Sequence, residues 1–184
     1  MSITKINNIF SPEEIESLAK MGSIENSRID SNLGRIIIGG VQENITIDME
    51  HKISDIVNSI INDPLVWSGA MIVEYSAKYG KPNLPPHFDR DTNDLIVNMQ
   101  ISSNTRWDLG LNLETYQLED NSAILFNGNT EVHWRPHKEF QEGEYVRMLF
   151  VRFYNSDNRS DYSYLPGNQI DEAFKAAIDF RNSL

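Results

Sequence analysis

The chain has no cysteine. No disulfide framework, thiolate metal site or cysteine nucleophile can be built from it, and any metal must be held by imidazole and carboxylate. A reducing cytoplasm is the compartment that fits. Long apolar runs are also missing: nowhere do about 18 consecutive apolar residues occur, the length that a membrane-spanning helix needs. The start, Met1-Ser2-Ile3-Thr4-Lys5, has no basic stretch leading into an apolar one. A soluble protein with no membrane partner is expected. Positive charge is scarce, with 16 Lys and Arg against 27 Asp and Glu, a formal charge of −11 and a pI near 4.7. The basic residues are scattered, so the chain repels phosphate backbones and nucleic acid is not an expected partner. No Gly/Ser/Pro-rich linker, run of like charge, repeat or low-complexity tract divides the 184 residues. They suit a single domain with a sizeable core; nothing in them sets an oligomeric state.

What is present is organised. In Phe10-Ser11-Pro12-Glu13-Glu14-Ile15, Ser11 can cap a helix, Pro12 suits its first position and Glu14 closes a capping box. Phe10 and Ile15 are placed for a hydrophobic staple, and Ile15, Leu18 and Ala19 continue one stripe toward Gly22. A second helix is predicted from about Met49 to Ile61, where Ile53, Ile56, Val57, Ile60 and Ile61 keep helical spacing until Asp63-Pro64. A third, over about 168–182, carries Ile170, Phe174, Ala177 and Ile178 on one side.

Between the second and third helices the period changes to two. Leu95, Val97, Met99 and Ile101 alternate with Ile96, Asn98, Gln100 and Ser102, and Trp107, Leu109, Leu111 and Leu113 alternate with Asp108, Gly110 and Asn112. Further strands are predicted at Gly34–Gly40, Ala70–Tyr75, Tyr116–Leu118, Ala123–Phe126 and Tyr145–Tyr154. Many short strands with helices at the ends, and no βαβ rhythm, point to a mainly β fold: an antiparallel barrel or jelly roll backed by helices. The expected layout is a helical N-terminal part over about 1–66, a barrel over about 67–155 and the C-terminal helix.

The chemistry concentrates in Leu84-Pro85-Pro86-His87-Phe88-Asp89 and, well downstream, Glu131-Val132-His133-Trp134-Arg135. On a strand, residues two apart share a face, so His87 and Asp89 can reach one ion while Phe88 points away. Two neutral imidazoles and one carboxylate are the ligand set of a mononuclear iron(II) site with an open face. His133 follows an apolar strand and a turn directly; His137, the competitor for the distal position, opens a charged loop, and His51 reads as a surface residue. Trp134 reads as wall or core. Arg135 reads as the partner of an acidic group, on a substrate or on a nearby Asp.

From Met71 to Tyr154 this order resembles the 2-oxoglutarate- and iron(II)-dependent oxygenases, whose pattern is His-x-Asp, a long interval, a distal His and a basic residue on the next strand. Glu74-Tyr75, Tyr79-Gly80 and Pro86-His87-Phe88-Asp89 look like the approach to the metal in the prolyl 4-hydroxylase-like branch. The resemblance implies a double-stranded β-helix, a jelly-roll relative of the cupins, and a dioxygenase using Fe(II), 2-oxoglutarate and O2. His87, Asp89 and His133 would be its metal ligands, and the retained Asp89 favours hydroxylation over halogenation. The cosubstrate's distal carboxylate needs a buried cationic partner. Arg147 corresponds to the family's basic position, with Arg152, on the opposite face of the same strand, as the alternative and Tyr75 adding a phenolic hydrogen bond. Lys81–Pro85 and Lys138–Gly143 lengthen the family's usual intervals and read as loops at the mouth of the site. They favour an amino-acid side chain in a peptide or protein as substrate, over a free amino acid or small metabolite. The rival readings are a cupin-like metalloenzyme without 2-oxoglutarate and a barrel serving as a binding module.

Overall fold

The computed structural model describes residues 3–21, 23–61, 65–89, 94–155 and 167–184. In chain order its elements are β1 (Thr4–Asn7), α1 (Pro12–Lys20), β2 (Ser23–Asp30), β3 (Arg35–Gly39), α2 (Val41–Asn44), α3 (Ile47–Ile60), β4 (Leu65–Ser76), β5 (Leu95–Ser103), β6 (Leu109–Leu111), β7 (Glu114–Tyr116), β8 (Ser122–Phe126), β9 (His133–Trp134), β10 (Tyr145–Asn155) and α4 (Gly167–Ser183).

One antiparallel sheet runs β1-β8-β5-β10-β4-β3-β2, and a smaller one runs β7-β6-β9 and is extended by a bridge between His133 and His87. The inner faces of the two sheets share one core: Val73, Tyr75, Ile96, Ile124, Phe126, Val146 and Met148 from the large sheet meet Leu109 and Leu111 from the small one. This is the jelly-roll barrel that the strand periodicity predicts. The outer face of the large sheet buries Ile72, Val97, Met99, Leu149 and Val151 under Leu18 of α1 and Met49, Ile53 and Val57 of α3. Because β10 is covered on both faces, both of its alternating sets are largely apolar, while β5 is apolar on its outer set and carries Asn98 and Gln100 on the other. The outer face of the small sheet is covered by α4, where Val132 and Trp134 pack on Ala177, with Phe88 and Phe180 alongside.

Local chemistry accounts for the helix starts. Ser11 N–H donates to Glu14 Oε2 at 2.6 Å and Glu14 N–H to Ser11 Oγ at 3.3 Å, a closed capping box with Pro12 in the first turn. Thr46 Oγ1 accepts from Met49 N–H at 3.3 Å, so α3 begins at Ile47, earlier than its apolar stripe suggests. The expected stops at Gly22 and Asp63-Pro64 lie outside the described residues.

The part expected to be helical up to residue 66 needs correction, because β1, β2 and β3 all join the large sheet. Of these only β3 has an apolar run that betrays it. β1 and β2 are polar edge strands, β1 paired with the distant β8 and β2 in a hairpin with β3, and neither has an apolar alternation to mark it. The long strand expected over Trp107–Leu113 is divided: the chain turns at Asn112, whose φ of 52° is left-handed, and returns as β7. Gly110 faces Trp134, and a Cβ there would lie 2.3 Å from the indole, so only glycine lets β9 and its tryptophan close on β6. Among the described residues no helix is long and apolar enough to cross a membrane.

Candidate metal centre

β9 alternates cleanly: Val132 and Trp134 turn outward to α4, which leaves His133 and Arg135 facing the barrel interior. Opposite, His87 N–H donates to His133 O at 3.0 Å and His133 N–H to His87 O at 2.9 Å. The two histidines are thus held side by side by the backbone, with ring centroids 4.0 Å apart. Asp89 is positioned one step on, its N–H bonded to Gly128 O at 2.9 Å, while Phe88 between them packs edge-on against Phe174 of α4 at 5.1 Å.

The three side chains converge. Asp89 Oδ1 lies 3.6 Å from His133 Nε2 and 4.0 Å from His87 Nε2, and one ligand atom of each residue lies within 4.8 Å of the others. Each ring is oriented from behind, His87 Nδ1 against Pro85 O at 2.8 Å and His133 Nδ1 against Glu131 O at 3.2 Å. A carbonyl only accepts, so Nδ1 carries the proton and the Nε2 lone pair is left for a metal. Burial, and then the positive potential of His133, push the His87 pKa down to about 4, so its ring is neutral at physiological pH. For Asp89, burial raises the pKa, but the interactions with His133, His87 and Arg152 outweigh it and leave the group below its ordinary value. A carboxylate beside two imidazoles whose Nε2 atoms face it suits a divalent cation.

The cluster borders a cavity of about 100 Å³ that is also lined by Tyr75, Phe126, Phe150, Arg35 and Arg152. Strand register orders the inner face. Arg152 sits level with Ile96 and Phe126, Phe150 with Asn98 and Ile124, and Met148 with Gln100 and Ser122. Phe126 contacts His133, ring to ring at 5.1 Å, so the first row is the metal end and later rows lie deeper.

Arg147 is not in this site. It is level with Glu74 on the outer parity of β10, where Nη1 bonds Glu74 Oε2 at 3.2 Å and Nη2 donates to Met21 O. Its expected place toward the cosubstrate is therefore corrected: with both faces of β10 apolar, the sequence does not reveal which parity turns inward. Tyr75 does turn inward, buried, edge-on to Trp107 at 5.0 Å and accepting from Arg35 Nη1 at 3.3 Å. His137 lines a separate surface pocket with Lys81, Pro82 and Asn83, and His51 is exposed on α3. The two inserted loops meet in that pocket, and Leu84 of the first of them also lines the cavity beside the metal group.

Arg135 and Asn98 carry more than the sequence suggests. Arg135 is 1% exposed; it lies 5.0 Å from the Trp107 ring centre, donates to Trp107 O and to Met148 Sδ at 3.4 Å, and leaves Nε without a partner. Burial lowers its pKa to about 10, so it stays cationic. None of its hydrogen-bond acceptors among the described residues is a carboxylate. Asn98 is fully buried and neither atom of its amide is hydrogen-bonded. A buried cation and a buried amide left unsatisfied are costly in a finished core, and they fit a polar, anionic ligand lying along the barrel. The signal available beforehand was spacing: Arg135 is two residues past His133 and so shares its face.

No family model matches the sequence, and no curated protein does. Solved structures do. A non-heme alpha-ketoglutarate-dependent epimerase, SnoN from nogalamycin biosynthesis, superposes with a TM-score of 0.64 at 11% identity, over 84% of this chain and 76% of that one. HygX from Streptomyces hygroscopicus, with nickel and 2-oxoglutarate bound, gives 0.61 at 8% over 89% of each. A prolyl hydroxylase from Trichoplax adhaerens, in complex with a hypoxia-inducible-factor peptide, gives 0.57 at 13% over 88% and 87%. The chain has the fold of the 2-oxoglutarate- and iron-dependent oxygenases. Within that fold, His87, Asp89 and His133 form a group able to hold a metal ion.

Proposed function

We propose that the protein is an Fe(II)- and 2-oxoglutarate-dependent dioxygenase that hydroxylates a C–H bond of an amino-acid side chain, in a peptide or in the free amino acid. The observation that carries this reading is the pairing, inside one barrel, of the three-ligand cluster with Arg135, a buried arginine bonded to no carboxylate among the described residues. His87, Asp89 and His133 hold the iron, their Nε2 and carboxylate atoms already turned to one point. Arg135 takes the distal carboxylate of the cosubstrate in place of Arg147, its planar fork giving charge-assisted hydrogen bonds in a site without competing water. Tyr75 contributes its hydroxyl proton, since its oxygen already accepts from Arg35. Asn98, facing the same interior, supplies a donor and an acceptor between the two ends.

Bound iron and 2-oxoglutarate supply the activation of O2 and the removal of hydrogen from the substrate carbon. The chain's contribution is to position, to neutralise charge and to exclude water. Phe126, Phe150, Ile96 and Met71 wall the cavity with apolar surface, which strengthens each polar contact inside it.

The fold serves a peptide-bound prolyl hydroxylase and HygX, which is also seen with hygromycin B bound, so substrate size must be tested directly. Succinate formed from 2-oxoglutarate is measured with a peptide library and with free amino acids. Stimulation by either supports hydroxylation of an amino-acid side chain and tells which carrier is used. A protein that binds iron but gives no visible charge-transfer band with 2-oxoglutarate would fit the cupin-like reading instead.

A further inference from the structure

Helix α4 lies outside the barrel, yet one of its faces touches each segment that carries the site. Phe174, Ala177, Phe180 and Arg181 fall at helical spacing on that face. Phe174 meets the ring of Phe88, between His87 and Asp89, at 5.1 Å, and Phe180 meets that of Trp134, beside His133, at 5.9 Å. Ala177 packs with Val132 and Trp134. Arg181 extends the row to Arg135, and there the contact is polar: Nε donates to Arg135 O at 2.7 Å and Nη2 donates to Asn83 Oδ1. Asn83 belongs to the segment that leads into His87, and the next residue's carbonyl, Leu84 O, accepts from Arg135 N–H at 2.9 Å.

Arg181 is buried, at 7% exposure, and its place in the last turn of α4 sets its charge against the negative end of the helix dipole. Its donors are thus free to serve as a clasp. The planar fork reaches two segments at once, which the point donor of a lysine does not do. The guanidinium of Arg135, by contrast, is held among the described residues by one carbonyl, one thioether and the Trp107 ring. Such a head does not fix a long side chain, so its aim depends on where the main chain of residue 135 is fastened. That main chain is held on both sides, by Leu84 O on its N–H and by Arg181 on its carbonyl. We propose that Arg181 is a positioning residue for the cosubstrate: it fastens the end of β9 to the segment leading into His87, and so sets where the Arg135 guanidinium stands in the barrel. This deepens the oxygenase reading and rests on its assignment of Arg135 to the distal carboxylate.

The test is made on the full chain, in the wild type, Arg181→Gln and Arg181→Lys, with Arg135→Met and Leu18→Ala for reference. Leu18 is buried between α1 and the outer face of the large sheet, so its truncation lowers stability without touching β9. Three quantities are read: unfolding free energy, main-chain amide exchange in the metal-free protein, and the anaerobic titration of the iron(II) protein with 2-oxoglutarate, followed by the visible charge-transfer band. In Arg181→Gln the Arg135 amide, bonded to Leu84 O, should exchange faster, while the amides that pair β1 with β8 are unchanged. Iron(II) should bind as in the wild type. The 2-oxoglutarate needed for half-saturation should rise about ten- to a hundredfold, the order seen when a group that orients a binding residue is removed. Arg181→Lys, which keeps a donor but not both arms of the fork, should fall between the two. Leu18→Ala should lose stability and titrate normally. An Arg181→Gln protein that titrates like the wild type, an unchanged Arg135 amide, or a shift that Leu18→Ala reproduces would overturn the proposal. If Arg181→Gln does not fold, Arg181→Lys decides by the same readings. A wild type without the band, or an Arg135→Met variant that titrates normally, removes the underlying reading and the proposal with it, and both are seen without any Arg181 variant.

Discussion

Arg147 and Arg152 stand on one strand, five residues apart and on opposite faces, and the protein treats them in opposite ways. On the outer face Arg147 is met by Glu74, and the Tyr79 hydroxyl donates to that same carboxylate at 3.0 Å. On the inner face, among the described residues, Arg152 and, deeper, Arg135 have no bonded carboxylate, and the Asn98 amide has no hydrogen-bond partner. The buried Nε of Arg147, like those of Arg135 and Arg152, has no hydrogen-bond partner. The faces differ in charge: that of Arg147 is met by a carboxylate, and among the described residues no carboxylate is bonded to the two inner arginines. A buried arginine is by itself weak information. Whether its charge is met by the protein says what it is for.

The comparison can be broken by substitution, and the largest effect belongs to the metal ligands. His133→Ala should abolish iron(II) binding, measured by equilibrium dialysis, while His137→Ala, in a different pocket, should leave it intact. Arg135→Met comes next. Removing a buried charge that pairs with a ligand carboxylate costs about 3–5 kcal/mol, so cosubstrate affinity should fall by two to four orders of magnitude with iron binding preserved. Arg147→Ala is the counterpart on the other face. It should lower unfolding free energy by about 1–3 kcal/mol, the cost of leaving Glu74 partly buried without its partner, and leave cosubstrate affinity unchanged. If Arg147→Ala instead weakened 2-oxoglutarate binding, the distinction between the faces would fail. The smallest change is Ser11→Ala, which removes the cap of α1 far from the site; about 1 kcal/mol of stability should be lost, with no effect on binding.

The sequence was legible where a pattern is local. Alternation over Leu95–Ser102 marks β5, flanking turn residues mark β10, the capping box marks α1, and His87, Asp89 and His133 are brought together as their spacing implies. It was silent at the polar edges of the sheet. β1 pairs with the distant β8 and β2 with its neighbour β3, and their residues are too polar to announce burial. Parity was the other failure. Both faces of β10 are covered, so hydrophobicity could not say that Val146, Met148, Phe150 and Arg152 turn inward and Arg147 does not. That choice is made by register with β4 and β5, where Arg147 falls beside Glu74.

The most direct measurement is an anaerobic optical titration of the protein with iron(II) and then 2-oxoglutarate, in the wild type and in Arg135→Met. A weak visible charge-transfer band that saturates stoichiometrically in the wild type, and needs far higher 2-oxoglutarate in Arg135→Met, is the predicted result. A wild type that binds iron without developing the band, or an Arg135→Met variant that titrates like the wild type, would contradict the assignment of the inner face of the barrel to metal and cosubstrate.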